Sequence, residues 1–266
     1  MTQLTLAPLS NFDIGVVAAV AIALTAYRTR SLSATGALAA IAVGTATFGA
    51  LAFPGAFVLL TFFISSLGFS RIGRERKREL LIDVGKTSAR DGTQVLANGG
   101  VAAVCALLAL WVDARYAIAF AGAFAAATAD TWGTEIGALS RSGPRSILTL
   151  RPIAIGLSGG VTVLGTLAEV AGAATIGVVA FGLTPHLATV AAVAAGGVGG
   201  ALLDSILGAS LQSLRWCGQC RRATEREPHA CGANTTPLRG LQWFGNDAVN
   251  FAATAAGAAI AVALAR

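Results

Sequence analysis

Charged side chains are scarce in this sequence. Asp, Glu, Lys and Arg make up 12% of the 266 residues, about half of the ~25% that is typical of a soluble globular domain. Hydrophobic residues make up 55%, the chain contains 32 glycines, and its mean hydropathy is +0.71. This composition excludes an ordinary soluble domain. It favours a polytopic membrane protein in which small residues let the helices pack closely.

Short alternating segments of the kind found in a membrane β-barrel are also lacking. The apolar runs are long enough for transmembrane helices, which need about 17–25 residues, whereas barrel strands need about 10. We therefore predict an all-α fold with about eight transmembrane helices in one bundle that forms a single domain over residues 1–266. The start of the chain, MTQLTLAPLSNFD, lacks the basic segment of a cleavable signal peptide, so none is predicted. The eight candidate spans are residues 11–27, 33–50, 51–69, 92–112, 116–136, 156–181, 186–211 and 243–264.

The basic residues fall in alternate loops between these spans. Four loops contain 17 of the 19 Lys and Arg, and they lie within residues 28–30, 71–90, 141–151 and 215–239. By the positive-inside rule these loops face the cytoplasm, and both termini lie outside the cell membrane. The net charge of +6 is then better matched to anionic headgroups or phosphorylated substrates than to nucleic acid. Two of the loops are long: the basic loop 71–91, whose RIGRERKREL run could simply rest on lipid headgroups, and the loop 212–242.

Acids and amides concentrate at the cytoplasmic ends of four spans. Acidic groups inside a membrane are costly and are usually functional. A single acid at a helix end is equally explained by capping or by pairing with a loop arginine, but the recurrence on four spans indicates a shared site. The residues are Asp91, Gln94 and Asn98; Asp130 and Glu135; Asp204; and Asn246, Asp247 and Asn250. Glu169 stands alone within the sixth span, and the sequence assigns it no role.

Gathered carboxylates and carboxamides favour a cation, and oxygen ligands favour Mg²⁺. We predict that Asp130, Asp204 and Asp247 bind Mg²⁺ and that Glu135, Asn246 and Asn250 support them. Asp91 and Asn98 are further candidates for substrate or nucleotide binding. Three arginines on the same side are predicted to contact phosphate oxygens: Arg90, Arg141 and Arg145.

Two local motifs bear on ligand binding. Cys217, Cys220, His229 and Cys231 supply soft ligands within 15 residues, which fits a structural Zn²⁺ site, although the last spacing is unusual and a reduced loop without metal is the alternative. Gly85-Lys86-Thr87 resembles the end of a P-loop, but Leu80 occupies the position that requires glycine, so we reject that motif. Gly156 and Gly160 have the spacing of a helix-packing face, and Gly159 with Gly160 could instead present backbone N–H groups to phosphate.

Several segments taken in series resemble one integral-membrane family. They are QVLANGG, ADTWGTEIG, SGGVTVLGTLAEVAG, LLDSILGASLQ, CGQC and LRGLQWFGNDAVNF. Together they resemble the family that includes eukaryotic transmembrane protein nineteen and the plant phytyl-phosphate kinase of the vitamin E pathway. The resemblance runs from about Asp91 to the C-terminus and implies a kinase that converts a prenyl monophosphate, such as the phytyl or geranylgeranyl ester, to the diphosphate. It implies CTP as the favoured phosphate donor, and no catalytic residues are carried over from it.

The expected function is therefore a CTP- and Mg²⁺-dependent prenyl-phosphate kinase with a cytoplasm-facing site. Its expected partners are the prenyl-phosphate lipid, the nucleotide and membrane lipids. Two alternatives remain open: a cytidylyltransferase that attaches CMP to a lipid phosphate, and a transporter in which the acids form a cation or proton path. A transporter should continue its polar groups through the membrane, and the outer halves of the spans are nearly devoid of them.

Overall fold

The computed structural model describes residues 10–73, 75, 77 and 89–265. Most of the basic loop 71–91, including the Gly85-Lys86-Thr87 motif, lies outside the described residues. The described chain is predominantly helical, as predicted. Its helices are α1 (Asn11–Arg28), α2 (Ala34–Arg71), α3 (Gly92–Trp111), α4 (Tyr116–Gly137), α5 (Val163–Ala180), α6 (Leu187–Ser210) and α7 (Asn246–Leu264).

Helix α2 contains two of the predicted spans, and the chain reverses direction between them. Ala52 has φ 49° and ψ −142°, and Pro54 follows it inside the helix. In one straight helix, residues 47 and 55 would stand about 12 Å apart at 1.5 Å per residue. Instead, a Cβ placed on Gly55 would lie 3.3 Å from Cγ2 of Thr47. The two halves of α2 therefore run side by side, so the seven described helices comprise eight helical segments, in agreement with the about eight helices that the sequence predicts.

Helix α4 forms the centre of the bundle. It packs against α2, α3, α5, α6 and α7, and every residue from Ala117 to Ala129 is buried. Six described helices are long and apolar enough to cross a membrane, and α4 is not among them. Because neighbouring helices rather than lipid surround α4, its sequence can combine Thr, Asp and Trp with many alanines at its C-terminal end without exposing them to hydrocarbon.

The loops that hold the basic residues meet on one face of the bundle. The backbone N–H of Ser33 donates to the carbonyl oxygen of Arg90, which joins the first two loops. Lys77 pairs with Glu135 at the end of α4, and Ser158 is hydrogen bonded to Glu225. We call this end the basic-loop face. These contacts support the prediction that the basic loops lie at the same end of the bundle. The side of the membrane on which this face lies stays a prediction.

Two small antiparallel sheets form on the basic-loop face. Strands β1 (Arg145–Ser146) and β2 (Gly160–Val161) form one pair. Strands β3 (Leu214–Cys217), β4 (Arg222–Thr224) and β5 (Thr236–Arg239) form a three-stranded sheet in the order β4-β3-β5. These strands add local β-structure to the predicted all-α fold, because the loops are long enough to satisfy their backbone groups by pairing with each other.

The sixth predicted span begins later than expected. The sequence indicates a helix from about residue 156, but α5 starts at Val163, where Thr162 caps it by accepting a hydrogen bond from the Gly165 N–H at 2.9 Å. Gly156 has φ 90° in the preceding loop, and Gly160 belongs to β2. The prediction that these two glycines form a helix-packing face is therefore wrong, because the segment is extended before α5 begins.

Candidate functional site

A polar cavity opens between α4, α5 and α6 near the basic-loop face. Three acidic side chains from these three helices line it: Asp130, Glu169 and Asp204. Ser158, Gly159 and Gly160 also line it, together with the hydroxyl-bearing residues Thr134, Ser140, Ser142, Thr162 and Ser205. Two of the acids that the sequence selected from separate spans are thus brought to one cavity, and Glu169 joins them.

The acidic part of the cavity depends on close approach of α4 and α5. Glu169 is 9% exposed and lies within electrostatic range of Asp130. Its side chain passes directly over Gly133, so that a Cβ there would stand 2.5 Å from Cγ of Glu169. One helical turn further, Gly165 lies against the backbone of Gly133 and Gly137. Small residues at these positions let carboxylates from two helices share one small volume.

The loop Ser158–Gly160 forms another side of the cavity. Gly159 has φ 81°, a left-handed conformation that glycine adopts without strain. A Cβ on Gly159 would also stand 2.5 Å from Ala209 at the end of α6. The N–H of Ser158 donates to Oε1 of Glu225 at 2.7 Å, so the loop 212–242 that contains the four Cys and His residues (the Cys/His loop) holds this segment. Gly159 and Gly160 are candidates for a phosphate contact at a helix start on sequence grounds, but they lie in the turn and strand just before α5.

Glu135 lies on the other side of α4, where its carboxylate forms an ion pair with Lys77. The Lys77 Nζ is 2.6 Å from Oε2 of Glu135 and 2.7 Å from the carbonyl oxygen of Phe69. The two side chains are 6% and 22% exposed. Glu135 therefore joins the end of α2 to α4, and it is not among the described residues that line the polar cavity.

Arg90 and Asp91 occupy the junction between the basic loop and α3. Burial lowers the pKa of the Arg90 guanidinium, and the negative charge of Glu135 opposes this shift. Asp91 caps α3: its Oδ1 accepts hydrogen bonds from the Gln94 N–H at 3.0 Å and from the Thr93 hydroxyl at 2.7 Å. These bonds, with that from Gln94 the largest cause, lower the pKa of the Asp91 carboxyl. Asp91 thus has the capping role that the sequence analysis weighed as the ordinary explanation.

The remaining predicted residues fall outside the polar cavity or at its rim. Asn246, Asp247 and Asn250 are partly buried in the first turns of α7 and are not among the described residues that line the cavity. Arg141 is exposed between the cavity-lining Ser140 and Ser142. Arg145 is exposed in β1, where its Nη1 donates to the carbonyl oxygen of Leu150 at 2.8 Å.

A second, apolar cavity lies on the opposite side of α4. Residues from α1, both halves of α2, α3 and α4 line it, including Ile22, Val43, Leu60, Phe63 and Phe124. Among the described residues that line it, polar side chains occur at three positions on or just before α3: Arg90, Gln94 and Asn98. The Nδ2 of Asn98 donates to the backbone carbonyl of Gln94 at 2.9 Å. The cavity therefore combines an apolar interior with a cation at the end near the basic-loop face.

The four predicted zinc ligands lie together in the Cys/His loop. The ligand atoms of Cys217, Cys220, His229 and Cys231 all lie within 4.8 Å of one another. Among the described residues, this is the one group of three or more His, Cys, Asp or Glu side chains found close enough to share an ion. Asp130, Asp204 and Asp247 are therefore not drawn together as a closed three-carboxylate site.

Comparison with known proteins identifies the family. Residues 17–258 match the family described as integral membrane protein DUF92. The chain belongs to this family. It is 32% identical over 257 residues to Protein PGR of Arabidopsis thaliana, covering 86% of this chain and 88% of the relative. It is 33% identical over 205 residues to an uncharacterized membrane protein of Methanocaldococcus jannaschii, covering 77% of this chain and 85% of the relative.

A third DUF92 relative is more distant. An uncharacterized membrane protein of Synechocystis is 26% identical over 230 residues, which cover 84% of this chain and 78% of that protein. No solved structure matches the chain. The family match covers nearly the whole bundle, so the helices that line both cavities belong to the shared part of the chain.

Glu169 is the cavity residue to which sequence reasoning gave no role. It lies in an otherwise apolar span, which is itself the signal of a functional or paired acid. The predicted span begins at residue 156, which places Glu169 near its middle and away from the acids at the ends of the other spans. Once α5 is taken to begin at Val163, Glu169 lies two turns inside the helix and close to Asp130.

Proposed function

We propose that this protein is a membrane kinase that converts a prenyl monophosphate to the diphosphate with a nucleoside triphosphate, CTP being the expected donor. The observation that supports this proposal best is the shared cavity of Asp130, Glu169 and Asp204 beside the Ser158–Gly160 loop. Acidic groups, hydroxyls and close-approaching backbone suit a metal–nucleotide complex. The family resemblance adds the substrate class, phytyl or geranylgeranyl phosphate, and we propose that the cavity faces the cytoplasm of the cell, where nucleotides are present.

The reaction needs little covalent chemistry from the protein. An oxygen of the prenyl phosphate attacks the γ-phosphorus of the nucleotide, the bond from that phosphorus to the β,γ-bridging oxygen breaks, and the nucleoside diphosphate leaves with the bonding electrons. A phosphate monoester is already an anion near neutral pH, since its second pKa is about 6. The protein therefore has to position two phosphorylated molecules and offset their charge rather than supply a general base.

The donor set of the cavity fits a magnesium ion. Mg²⁺ is commonly held by one or two carboxylates, with water and phosphate oxygens as its other ligands, so a closed cage of three carboxylates is not required. Asp130 and Asp204 would hold the ion and Glu169 would orient it or its water, while Asp247 would require a different position of α7 to take part. When bound, Mg²⁺ offsets the negative charge that develops on the transferring phosphoryl group.

Two arginines at the rim of the polar cavity are suited to contact the phosphates of the two substrates. Arg141 is exposed between two cavity-lining serines, and Arg145 follows Pro144, which also lines the cavity. Neither guanidinium forms an ion pair with another described residue, and Arg145 retains donors beyond the one bonded to Leu150. Both are therefore suited to contact phosphate oxygens when nucleotide enters.

We further propose that the apolar cavity accommodates the hydrocarbon chain of the substrate. Its lining is apolar except at Arg90, Gln94 and Asn98, which lie toward the basic-loop face. A chain of isoprene units would bury its surface there, while its phosphate would remain near the loops and the cation of Arg90. Helix α4 lines both cavities, through Phe124 on one side and Asp130 on the other.

The test is a product assay with detergent-purified protein. Phytyl and geranylgeranyl monophosphate would be incubated with Mg²⁺ and either CTP or ATP, and the lipid and nucleotide products identified by mass spectrometry. We expect prenyl diphosphate and nucleoside diphosphate in equal amounts. Asp130→Asn, Asp204→Asn and Glu169→Gln should each lower turnover by about 100-fold, as expected when charge stabilisation of a transition state is removed.

Asp113→Asn is the matched control. Asp113 lies in the loop between α3 and α4, at the end of the bundle opposite the basic-loop face, and pairs with Arg115. This variant should retain full turnover. Release of pyrophosphate with a CMP-linked lipid would instead identify a cytidylyltransferase. Absence of both products, together with cation flux in proteoliposomes that depends on the same acids, would identify a transporter and overturn the proposal.

A further inference from the structure

The loop that contains the Cys/His cluster is built as a small folded unit. Strand β3 pairs with both β4 and β5, so the chain between residues 214 and 239 forms a three-stranded antiparallel sheet. Cys217 ends β3, and its side chain is fully buried; His229 is 5% exposed. The folded sheet therefore holds these ligands in place, and two of them are buried.

The spacing of the ligand atoms matches one tetrahedral ion. With Zn–S bonds of about 2.3 Å, two sulfurs on the same tetrahedral zinc are about 3.8 Å apart. The Sγ atoms of Cys217 and Cys231 are 3.7 Å apart, and Nδ1 of His229 is 3.1 Å from Sγ of Cys231. A disulfide requires about 2.05 Å, and these cysteines are free thiols in the structure.

The backbone around the cluster also suits a metal site. The N–H of Cys220 donates toward Sγ of Cys217 at 3.5 Å, which places the two thiols of the Cys217–Cys220 pair on the same side of the turn. The turn after His229 closes through a hydrogen bond from the Gly232 N–H to the His229 carbonyl oxygen, and Gly232 has φ 84°. This tight turn explains how His229 and Cys231, only two residues apart, can both face the other pair.

The same unit is attached to the polar cavity through Glu225. This residue follows β4 directly, with Cys217 and Cys220 before it and His229 and Cys231 after it in the chain. Its Oε1 accepts the N–H of Ser158 at 2.7 Å, and its Oε2 accepts Nε2 of Gln212 at 2.9 Å. The position of Glu225 therefore depends on the part of the loop that the four ligands enclose.

We propose that Cys217, Cys220, His229 and Cys231 bind one structural Zn²⁺ and that the ion fixes Glu225 against Ser158, thereby ordering one side of the polar cavity. Three thiolates and one imidazole form a closed coordination shell, which is typical of a structural rather than a catalytic zinc. The proposal does not depend on the chemistry performed in the cavity, and its test measures metal content and backbone protection instead of turnover.

The first measurement is metal content. Full-length protein purified in detergent without added metal should contain one zinc per chain by elemental analysis, and replacement by Co²⁺ should give the visible absorption of a tetrahedral thiolate site. Cys217→Ser and Cys231→Ser should lose the metal. Cys105→Ala removes a buried thiol in α3, far from the loop in the chain, and should keep it. Wild-type protein without metal, or with a Cys217–Cys231 disulfide, would overturn the zinc site.

The second measurement is hydrogen exchange of the Ser158–Gly160 segment. We expect slow exchange in the zinc-loaded protein and at least 10-fold faster exchange after a strong chelator removes the metal. Glu225→Ala should give the same fast exchange while retaining one zinc per chain, because it removes the acceptor without touching a ligand. Unchanged exchange in both the chelated protein and Glu225→Ala would overturn the link between the ion and the cavity.

Discussion

Glu169 lies over Gly133, and the two residues can occupy these positions only because Gly133 has no side chain. A methyl group there would stand 2.5 Å from Cγ and 2.6 Å from Oε1 of Glu169. Gly133 and Glu169 are both buried at this contact, so atoms added there must displace the Glu169 side chain or one of the two helices. A substitution at Gly133 can therefore move Glu169 without removing any polar atom from the cavity.

Gly133→Ala is expected to displace Glu169 and to lower turnover of the prenyl phosphate by at least 10-fold. The closest control is Gly100→Ala in α3, where the new methyl group would make ordinary contact with Leu96 at 3.8 Å. Alanine should stabilise that helix by up to about 1 kcal/mol relative to glycine. Thermal unfolding in detergent and steady-state kinetics should therefore show Gly100→Ala unchanged or more stable and fully active. Equal activity of the two variants would show that the position of Glu169 is unimportant.

Asp91→Ala is expected to weaken α3 without removing activity from the folded protein. Loss of an N-cap side chain costs about 1 kcal/mol, whereas asparagine at this position is nearly as good a cap as aspartate. Asp91→Asn should therefore unfold close to wild type, and both variants should keep normal turnover per folded molecule. Loss of turnover in the folded Asp91→Asn protein would return Asp91 to the substrate-binding role that the sequence analysis assigned to it.

Asp91 should also make the stability of the folded protein depend on pH. Hydrogen bonds lower the pKa of Asp91 in the folded state, so its contribution to stability is present above the unfolded value of about 3.9. That contribution is lost as pH falls through the folded pKa. Thermal unfolding of wild type and Asp91→Ala between pH 7 and pH 2 should show that the advantage of wild type over the alanine variant shrinks on acidification. A gap that is constant over this range would contradict the assignment.

The sequence was sufficient to predict the helical bundle and two of the acids that line the polar cavity. The length of the apolar runs identified the helical segments of the bundle, and alternation of the basic loops placed Asp130 and Asp204 at the same end. Depth alone, however, cannot say which side of a helix faces which neighbour. Asp130 and Glu135 are five residues apart and face different sides of α4, one toward the polar cavity and the other toward Lys77. Asp247 shares their depth but lies on α7, whose position in the bundle is set by packing that no local pattern encodes.

Glu135→Gln is expected to destabilise the protein strongly. The change leaves the Lys77 ammonium, 6% exposed, without its negative partner, and breaking a buried pair on one side costs about 3–5 kcal/mol. Lys77→Met together with Glu135→Gln should recover much of that stability, because neither charge of this ion pair is then left without the other. Thermal unfolding of the two single variants and the double variant measures this coupling.

Activity of the same double variant separates a structural from a catalytic Glu135. If the carboxylate only joins the end of α2 to α4, the double variant should regain most of the turnover along with its stability, and this is the expected result. A double variant that is as stable as wild type but inactive would show that the carboxylate takes part in the reaction, as the sequence alone had suggested.

Leu60→Trp tests whether the apolar cavity accepts the hydrocarbon chain. Leu60 lines this cavity on the second half of α2, and the larger indole should occupy space that a long chain needs. We expect KM for geranylgeranyl phosphate to rise by about 10-fold, with a smaller rise for a prenyl phosphate with fewer isoprene units, because each CH₂ group kept from burial costs about 0.8 kcal/mol. kcat at saturating substrate should change little, since the phosphates still meet in the polar cavity.

Leu38→Trp is the matched control for this prediction, because it makes the same substitution on the first half of the same helix. Leu38 is 69% exposed on the outer surface of the bundle and does not line the apolar cavity. The added indole there would contact lipid, so KM should remain at the wild-type value for every chain length. A Leu60→Trp protein with unchanged KM for both long and short substrates would place the hydrocarbon chain elsewhere, because a cavity narrowed by an indole cannot bind all chain lengths as before.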